Sequence, residues 1–277
     1  MTPARLAAGA LVAVGVAQVG VRLWVEPRTE AWSLITADAD GAVIWADLSV
    51  SNTGLLDQQL TTRLLVLPPG PGSIEHRAQW GPATLDADGV RAAPDGLVAT
   101  ADGWELRVGG EGLGARVRVT GAAPGCPPTI GAMRGMVEDR VDGRLVSGAG
   151  LVVRSRSDGH PVGTALYVIG QDIAAGIDPW ADCPAWLRAG DDVWTGDAAE
   201  FTAARTTALT LGAWTLTFRG VGDAVAHDLW GHALPAERAL AAAFGFHAPR
   251  HEARRATVRV TGPGLDRLAP ALVLRRL

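Results

Sequence analysis

Four of the six histidines fall in one stretch: His227, His232, His247 and His251, with Asp228 beside the first. Imidazoles with a carboxylate at such spacing are raw material for a metal site, provided a hairpin joined the two pairs. Pro249 interrupts the His247/His251 spacing, so that pair cannot share one helical face, and no HExxH pattern occurs. The group is read as loop histidines and no metal is assigned. A second concentration of reactive side chains runs from Asp172 through Asp178-Pro179-Trp180 and Trp186 to Asp191-Asp192-Val193-Trp194. Paired carboxylates there could act as general acid and base, as in glycosidases or hydratases. Tryptophans beside acids would also suit a sugar-binding surface. Against both, aspartates in Gly/Pro-rich loops ordinarily cap turns. The serines include no GxSxG elbow, and Gly109-Gly-Glu-Gly112 and Gly262-Pro-Gly264 lack the βαβ context of a dinucleotide loop. No catalytic residue and no cofactor is assigned.

Cys126 and Cys183 are the only cysteines, and both sit in proline-bracketed loop sequence. There is no CxxC, which removes a zinc-thiolate site or a redox dyad. In an exported chain two loop cysteines read as a disulfide; two unrelated buried thiols are the alternative.

The elements that must position these groups are mostly strands. Beyond residue 30 the hydrophobic period is two, with strands expected at 32–36, 43–50, 60–67, 79–85, 98–100, 104–108 and 115–120. Asp-Gly recurs at 40, 88, 95, 102, 142 and 158, each between short apolar segments, as in an antiparallel meander with tight hairpins. The irregular spacing of those pairs disfavours a propeller or a solenoid. A proline-rich break at 124–128 separates a second block, with strands expected at 143–153, 164–170, 209–211, 214–218, 257–261 and 272–275. One short helix is expected at 235–244, with Pro235 in its first turn, Glu237 toward its N-terminus and Gly245 at its end.

The chain has 277 residues, 48% apolar and 19% charged, with a formal net charge of −4. That is enough chain for two domains with real cores, and the acidic balance argues against nucleic acid. All 25 bases are arginine, so a Schiff-base or P-loop lysine is excluded. Ten Trp with 35 Gly and 17 Pro fit a turn-rich β protein with large interior plugs.

Residues 1–27 begin with Arg5 and continue into an unbroken apolar run at 6–17. That reads as a signal peptide cleaved after Ala17 or as an uncleaved membrane anchor extending to Val25, with a soluble cytoplasmic helix as the third reading. In the two leading readings the rest of the chain is exported, to the periplasm or the cell exterior.

Trp32-Ser-Leu-Ile-Thr36, Asp40-Gly41 and Asp47-Leu-Ser-Val-Ser-Asn-Thr-Gly54, with the Gly-Arg-Leu-Val-Ser-Gly-Ala-Gly run at 143–150, resemble a tandem lipocalin-like family. Its members include carotenoid 1,2-hydratases (hydroxyneurosporene synthases), Diels–Alder cyclases and fungal survival-factor proteins. The resemblance covers roughly a third of the chain and implies two lipocalin-like antiparallel β-barrels side by side with an apolar pocket. Where such enzymes often carry a polar cluster, this chain has Leu151-Val-Val-Arg-Ser-Arg156, with neither acid nor imidazole. No catalytic residue is therefore carried over.

The expected architecture is all-β: 1–27 as leader or anchor, 28–156 as the first lipocalin-like domain and 157–277 as the second. The expected partner is a hydrophobic small molecule such as a lipid or polyene, bound or converted in a barrel pocket by Trp32, Trp45, Trp80, Tyr167, Trp194 and Trp214. Membrane association would come through the N-terminus, with Arg254-Arg255 and Arg275-Arg276 as basic clusters able to touch headgroups. The alternative is an exported carbohydrate-binding or surface-interaction module with Trp180 and Trp186 exposed on loops.

Overall fold

The computed structural model describes residues 28–51, 59–109, 113–139, 143–158, 162–197, 208–228, 239 and 250–276. The N-terminal apolar segment lies outside them, as do His232, His247 and the helix expected at 235–244, save Ala239, which is helical. Among the described residues no helix is long and apolar enough to cross a membrane.

The first sheet is built from β1 (Arg28–Asp38), β2 (Val43–Ser51), β3 (Gln59–Leu67), β4 (Ile74–Pro82), β5 (Thr84–Asp86) and β6 (Gly89–Ala92). It continues with β7 (Asp95–Thr100), β8 (Gly103–Val108), β9 (Leu113–Thr120), β10 (Gly131–Asp139) and β11 (Gly143–Asp158). Its order is β4-β3-β2-β1-β11-β10-β9-β8-β7-β6-β5. The two edge strands, β4 and β5, are separated along the chain by Ala83 alone. The ends of the sheet therefore meet, and it curls into a nearly closed barrel.

The second sheet comprises β12 (Gly163–Ile169), β13 (Ile173–Ile177), β14 (Ala185–Ala189), β15 (Asp192–Gly196) and β16 (Ala208–Leu211). To these it adds β17 (Trp214–Val221), β18 (Val225–Asp228), β19 (Arg250–Gly262) and β20 (Leu265–Arg276). Its order is β15-β14-β13-β12-β20-β19-β17-β16, with β18 on β19 beyond a bulge at Phe218/Gly220. It curls as well. Trp194 on edge strand β15 lies against Gly212, in the turn between β16 and β17, where a Cβ would come within 2.6 Å of the indole.

Burial patterns explain how the sheets meet. On β9 buried Ala115, Val117 and Val119 alternate with exposed Arg116, Arg118 and Thr120, the pattern of a strand with one wet face. By contrast, Ala31 to Ala37, Ala42 to Leu48, Thr62 to Leu67, Ala165 to Ile169 and Ala271 to Leu274 are buried without a break. Those strands have two dry faces. One face is concave: Trp32, Leu34, Ile44, Leu64, Leu106 and Val117 belong to the core of the first barrel, and Leu166, Val168, Ile177, Leu216 and Val258 to the core inside the second, curled sheet. The other face lies in a third cluster shared by both sheets, in which Ile35, Trp45, Leu65 and Leu151 meet Tyr167, Ile169, Trp186, Leu272 and Leu274. This shared cluster is the seam.

Tryptophan and glycine work as pairs in the second sheet. Gly176 stands directly opposite Trp186, and a Cβ there would fall 2.4 Å from the indole nitrogen. A Cβ on Gly262 would fall 2.0 Å from Trp214 Cδ1. Each ring covers bare backbone, the aromatic rescue of a glycine inside a strand.

Cys126, between β9 and β10, is bonded to Cys183, between β13 and β14, with Cα atoms 4.9 Å apart. The disulfide ties one sheet to the other and is compatible with an exported protein. Backbone bonds reinforce the tie: Arg156 N–H donates to Trp180 O at 2.9 Å and Asp182 N–H to Arg154 O at 3.0 Å.

One expected turn is displaced. Asp95-Gly96 opens β7, and the chain reverses at Ala93-Pro94. The Asp95 carboxylate is buried and accepts the Gly109 N–H at 2.9 Å, so it braces the end of β8 instead of capping a hairpin.

Candidate functional site

Burial of charge singles out the seam. Among the described residues six charged side chains are buried: Asp47, Arg63, Asp95, Glu105, Asp178 and Arg276. Asp95 serves the β7–β8 region, and Glu105 lies on the outer face of the first sheet. The remaining four border the seam cluster: Asp47, Arg63 and Arg276 on the strand faces that line it, and Asp178 just past the end of β13. A buried charge is costly unless paired and hydrogen-bonded, so four in one apolar layer mark the place where the molecule accepts that cost.

On the first sheet Ser33, Asp47 and Arg63 stand opposite one another across β1, β2 and β3. Ser33 Oγ donates to Asp47 Oδ1 at 2.9 Å, and Arg63 Nη1 lies 3.9 Å from Asp47 Oδ2. From the second sheet His251 reaches across, its Nδ1 lying 2.7 Å from Arg63 Nη1. Arginine can only donate, so Nδ1 accepts and the imidazole is neutral with its proton on Nε2.

On the second sheet the Tyr167 hydroxyl donates to Asp178 Oδ2 at 2.8 Å, fully buried. Asp178 Oδ1 accepts the Trp180 N–H at 3.0 Å and faces Arg276 Nη1 at 3.7 Å. The Arg276 guanidinium lies 4.5 Å over the Trp180 ring. Burial, then the charge of Asp178, pushes the Tyr167 phenol well above its ordinary range, and Asp47 adds to the effect across the seam. Tyr167 is therefore a neutral donor at any physiological pH.

The residues expected to line a pocket are dispersed by the structure. Trp45 and Tyr167 meet in the seam. Trp32 is in the first lumen, its ring centroid 4.8 Å from that of Trp104. Trp214 is in the second lumen, with half-buried Trp194 packed against the same core. Trp80 is on β4, and its side chain lies outside the described residues. In the acid and tryptophan stretch at 171–194, three strands alternate with turns that hold Asp172, Asp178, Trp180 and Asp191: Trp186 on β14 is 1% exposed, too buried for a glycan platform, and half-buried Trp180 sits under Arg276. Of the histidines, His251 joins the seam, while His227 stands opposite it in the β18–β19 pairing. Among the described residues no group of three His, Cys, Asp or Glu is placed to hold a metal.

Asp178 and Arg276 belong to stretches that the sequence marks, as a candidate acid and as a basic cluster; Asp47 and Arg63 were not marked as site residues, although both carried a signal. Asp47 interrupts Val43-Ile-Trp-Ala, and Arg63 precedes Leu64-Leu-Val-Leu. Both runs are apolar on two faces, so a charge within them has to be buried. Among the described residues the first lumen contains Thr36 and Thr62 as its buried polar side chains, and their hydroxyls and the Trp32 indole N–H find no hydrogen-bond partner there. A slot of ≈10 Å³ lies beside the disulfide, between Val153, Asp182 and Trp186, with room for about one water.

No known family profile matches the chain, and no curated protein matches it in sequence. Solved structures match in fold. CghA superposes with a TM-score of 0.53 at 9% identity, over 91% of this chain and 87% of that one. CghA solved with Sch210972 gives 0.52 at 9% identity, over 90% and 87%. A candidate AttH from Nitrosomonas europaea gives 0.52 at 14% identity, over 91% and 93%. The chain thus shares the two-sheet, lipocalin-like architecture of these proteins.

Proposed function

We propose that this protein binds a hydrophobic small molecule, of the lipid or polyene class, at the seam between its two sheets, as a member of the tandem lipocalin-like hydratase and cyclase group. The observation that carries the reading is the convergence of Asp47, Arg63, Asp178 and Arg276 on an apolar layer that also holds Trp45 and Tyr167. Convergent polar groups in otherwise apolar surroundings are the usual composition of a small-molecule site. Here the apolar wall would take the body of the ligand and the ionisable cluster its polar end. The shared fold adds support, since CghA has been solved with Sch210972.

Conversion of the ligand is a second reading, favoured by the chemistry of the cluster. Hydration, cyclisation or isomerisation of a polyene needs groups that move a proton where water is scarce. Asp47, Asp178, neutral Tyr167 and neutral His251 supply donors and acceptors there.

Native mass spectrometry of the protein purified from its own host tests the binding reading. A co-purifying apolar mass that is lost in Asp47→Asn or Tyr167→Phe, with both variants folded, is the expected result. Retention of that mass by both variants would move the site away from the seam.

A further inference from the structure

The outer face of the first sheet carries a groove of ≈660 Å³, open to solvent along one side and lined across β8 to β11. Two neighbouring rows of side chains cross it, all but Arg107 being part of its lining. In one row Glu105, Arg118, Arg134 and Ser147 stand opposite one another across the four strands. In the next, Arg107, Arg116, Met136 and Leu145 do the same.

Like charges directly opposite one another on a sheet repel, and this face contains two such pairs, Arg107 with Arg116 and Arg118 with Arg134. Glu105 offsets part of the repulsion. Its carboxylate is nearly enclosed and lies 2.5 Å from Arg107 Nε, 3.3 Å from Arg116 Nε and 3.1 Å from Arg118 Nη2. Those guanidiniums are fixed by a single acid, and Arg134 has no acidic partner among the described residues. Glu138, one row further toward the hairpin end, is not part of the lining. Four arginines around one carboxylate leave a strong local excess of positive charge on a chain whose net charge is −4.

Beside that cationic corner the surface turns apolar. Leu145 is 82% exposed and Met136 38%, adjacent across β10 and β11. A large aliphatic side chain held in water next to uncompensated guanidiniums is complementary to a molecule with an anionic head and an alkyl body. The groove volume falls in the range of small-molecule sites.

We propose that this groove is a binding site for a monomeric anionic amphiphile of the long-chain carboxylate class. Arg118 and Arg134, flanked by Arg116, hold the head group, and Met136 and Leu145 support the chain. The site is on the outer face of the first barrel, as the seam is, but displaced along β11 from Ala149 and Leu151 to Leu145 and Ser147, and it stands independently of the function proposed there.

Isothermal titration calorimetry on the full chain tests it, using dodecanoate below its critical micelle concentration. Acetate supplies the head without the tail, and octyl glucoside a tail with a neutral head. One dodecanoate should bind per chain, more weakly as salt is added, with acetate and octyl glucoside at least tenfold weaker. Arg134→Glu and Leu145→Asp, both at exposed positions and checked for unchanged melting, should each weaken dodecanoate at least tenfold. Dodecanoate binding unchanged in both variants would overturn the proposal. It would equally be overturned if the monomer failed to bind while phosphatidylglycerol vesicles bound in an Arg134-dependent way, because the face would then be a membrane contact.

Discussion

The first lumen and the seam are lined by alternate residues of the same strands, which makes them a controlled comparison. On β1 to β3, Trp32, Leu34, Ala46, Leu48 and Leu64 point inward with only Thr36 and Thr62 as buried polar company. One residue along, Ser33, Asp47 and Arg63 point to the seam beside Ile35, Trp45 and Leu65. Both faces are dry, yet fully buried charge is on the seam face alone; on the lumen face the charge is the half-buried Glu30–Arg154 pair at the end, beside Trp32. Packing needs alone would fill both with aliphatics, since a buried ion pair is seldom worth more than well-packed apolar residues of the same volume. The contrast sets the apolar packing that builds the barrel apart from the buried charge held between the two sheets.

The largest predicted effect breaks the charge balance of the seam. Arg63→Met alone strands Asp47 and should cost about 3–5 kcal/mol, whereas Asp47→Leu with Arg63→Met should be near neutral or stabilising by about 1–4 kcal/mol. Chemical denaturation of the three proteins reads this directly; equal losses in the single and double variants would mean that the charges hold the sheets together. Next comes the cross-link. Reduction, or Cys126→Ser with Cys183→Ser, should lower stability by about 4 kcal/mol on the chain-entropy model for a separation of 57 residues. A denaturation midpoint unmoved by reductant would remove the bond from the account.

Smaller effects sharpen the contrast further. Gly262→Ala drives a methyl into Trp214 in the second lumen and should cost about 1–3 kcal/mol as overpacking, seen as a lower melting temperature and altered near-ultraviolet dichroism. The gentlest test is on the outer face, where the Arg107 side chain, with help from Arg118, holds the Glu105 carboxyl at about 2. A depressed folded-state value means that stability present above the unfolded carboxyl range falls as pH drops from about 4.5 toward 2. Glu105→Gln should flatten that part of the acid titration, and a profile identical to the parent would place the arginines elsewhere.

Much of the fold was legible because its cause is local. Alternation located β1 to β3, β8 and β9, and Asp40-Gly41 and Asp102-Gly103 mark real hairpins between paired strands. Strand β10 escaped notice because Gly131 and Gly135 occupy inward positions and leave Met133 and Val137 as the apolar signal. Strands β13 to β15 escaped because Ala174, Ala175 and Gly176 carry little pattern, and the aspartates between them look like loop. The disulfide followed from there being only two cysteines. The seam did not follow, for the meeting of Tyr167, Asp178 and Arg276 depends on β12, β13 and β20 lying side by side, which no local spacing encodes.

The most direct test of the seam as the working site is photolabelling with an uncharged polyene or lipid analogue bearing a diazirine, followed by peptide mapping. Label is predicted on peptides carrying Trp45, Tyr167 and Leu272, and it should disappear in the Asp47→Leu/Arg63→Met protein while the fold persists. Label confined to peptides carrying Leu97, Leu106 and Val117 would place the ligand inside the first barrel and contradict the account.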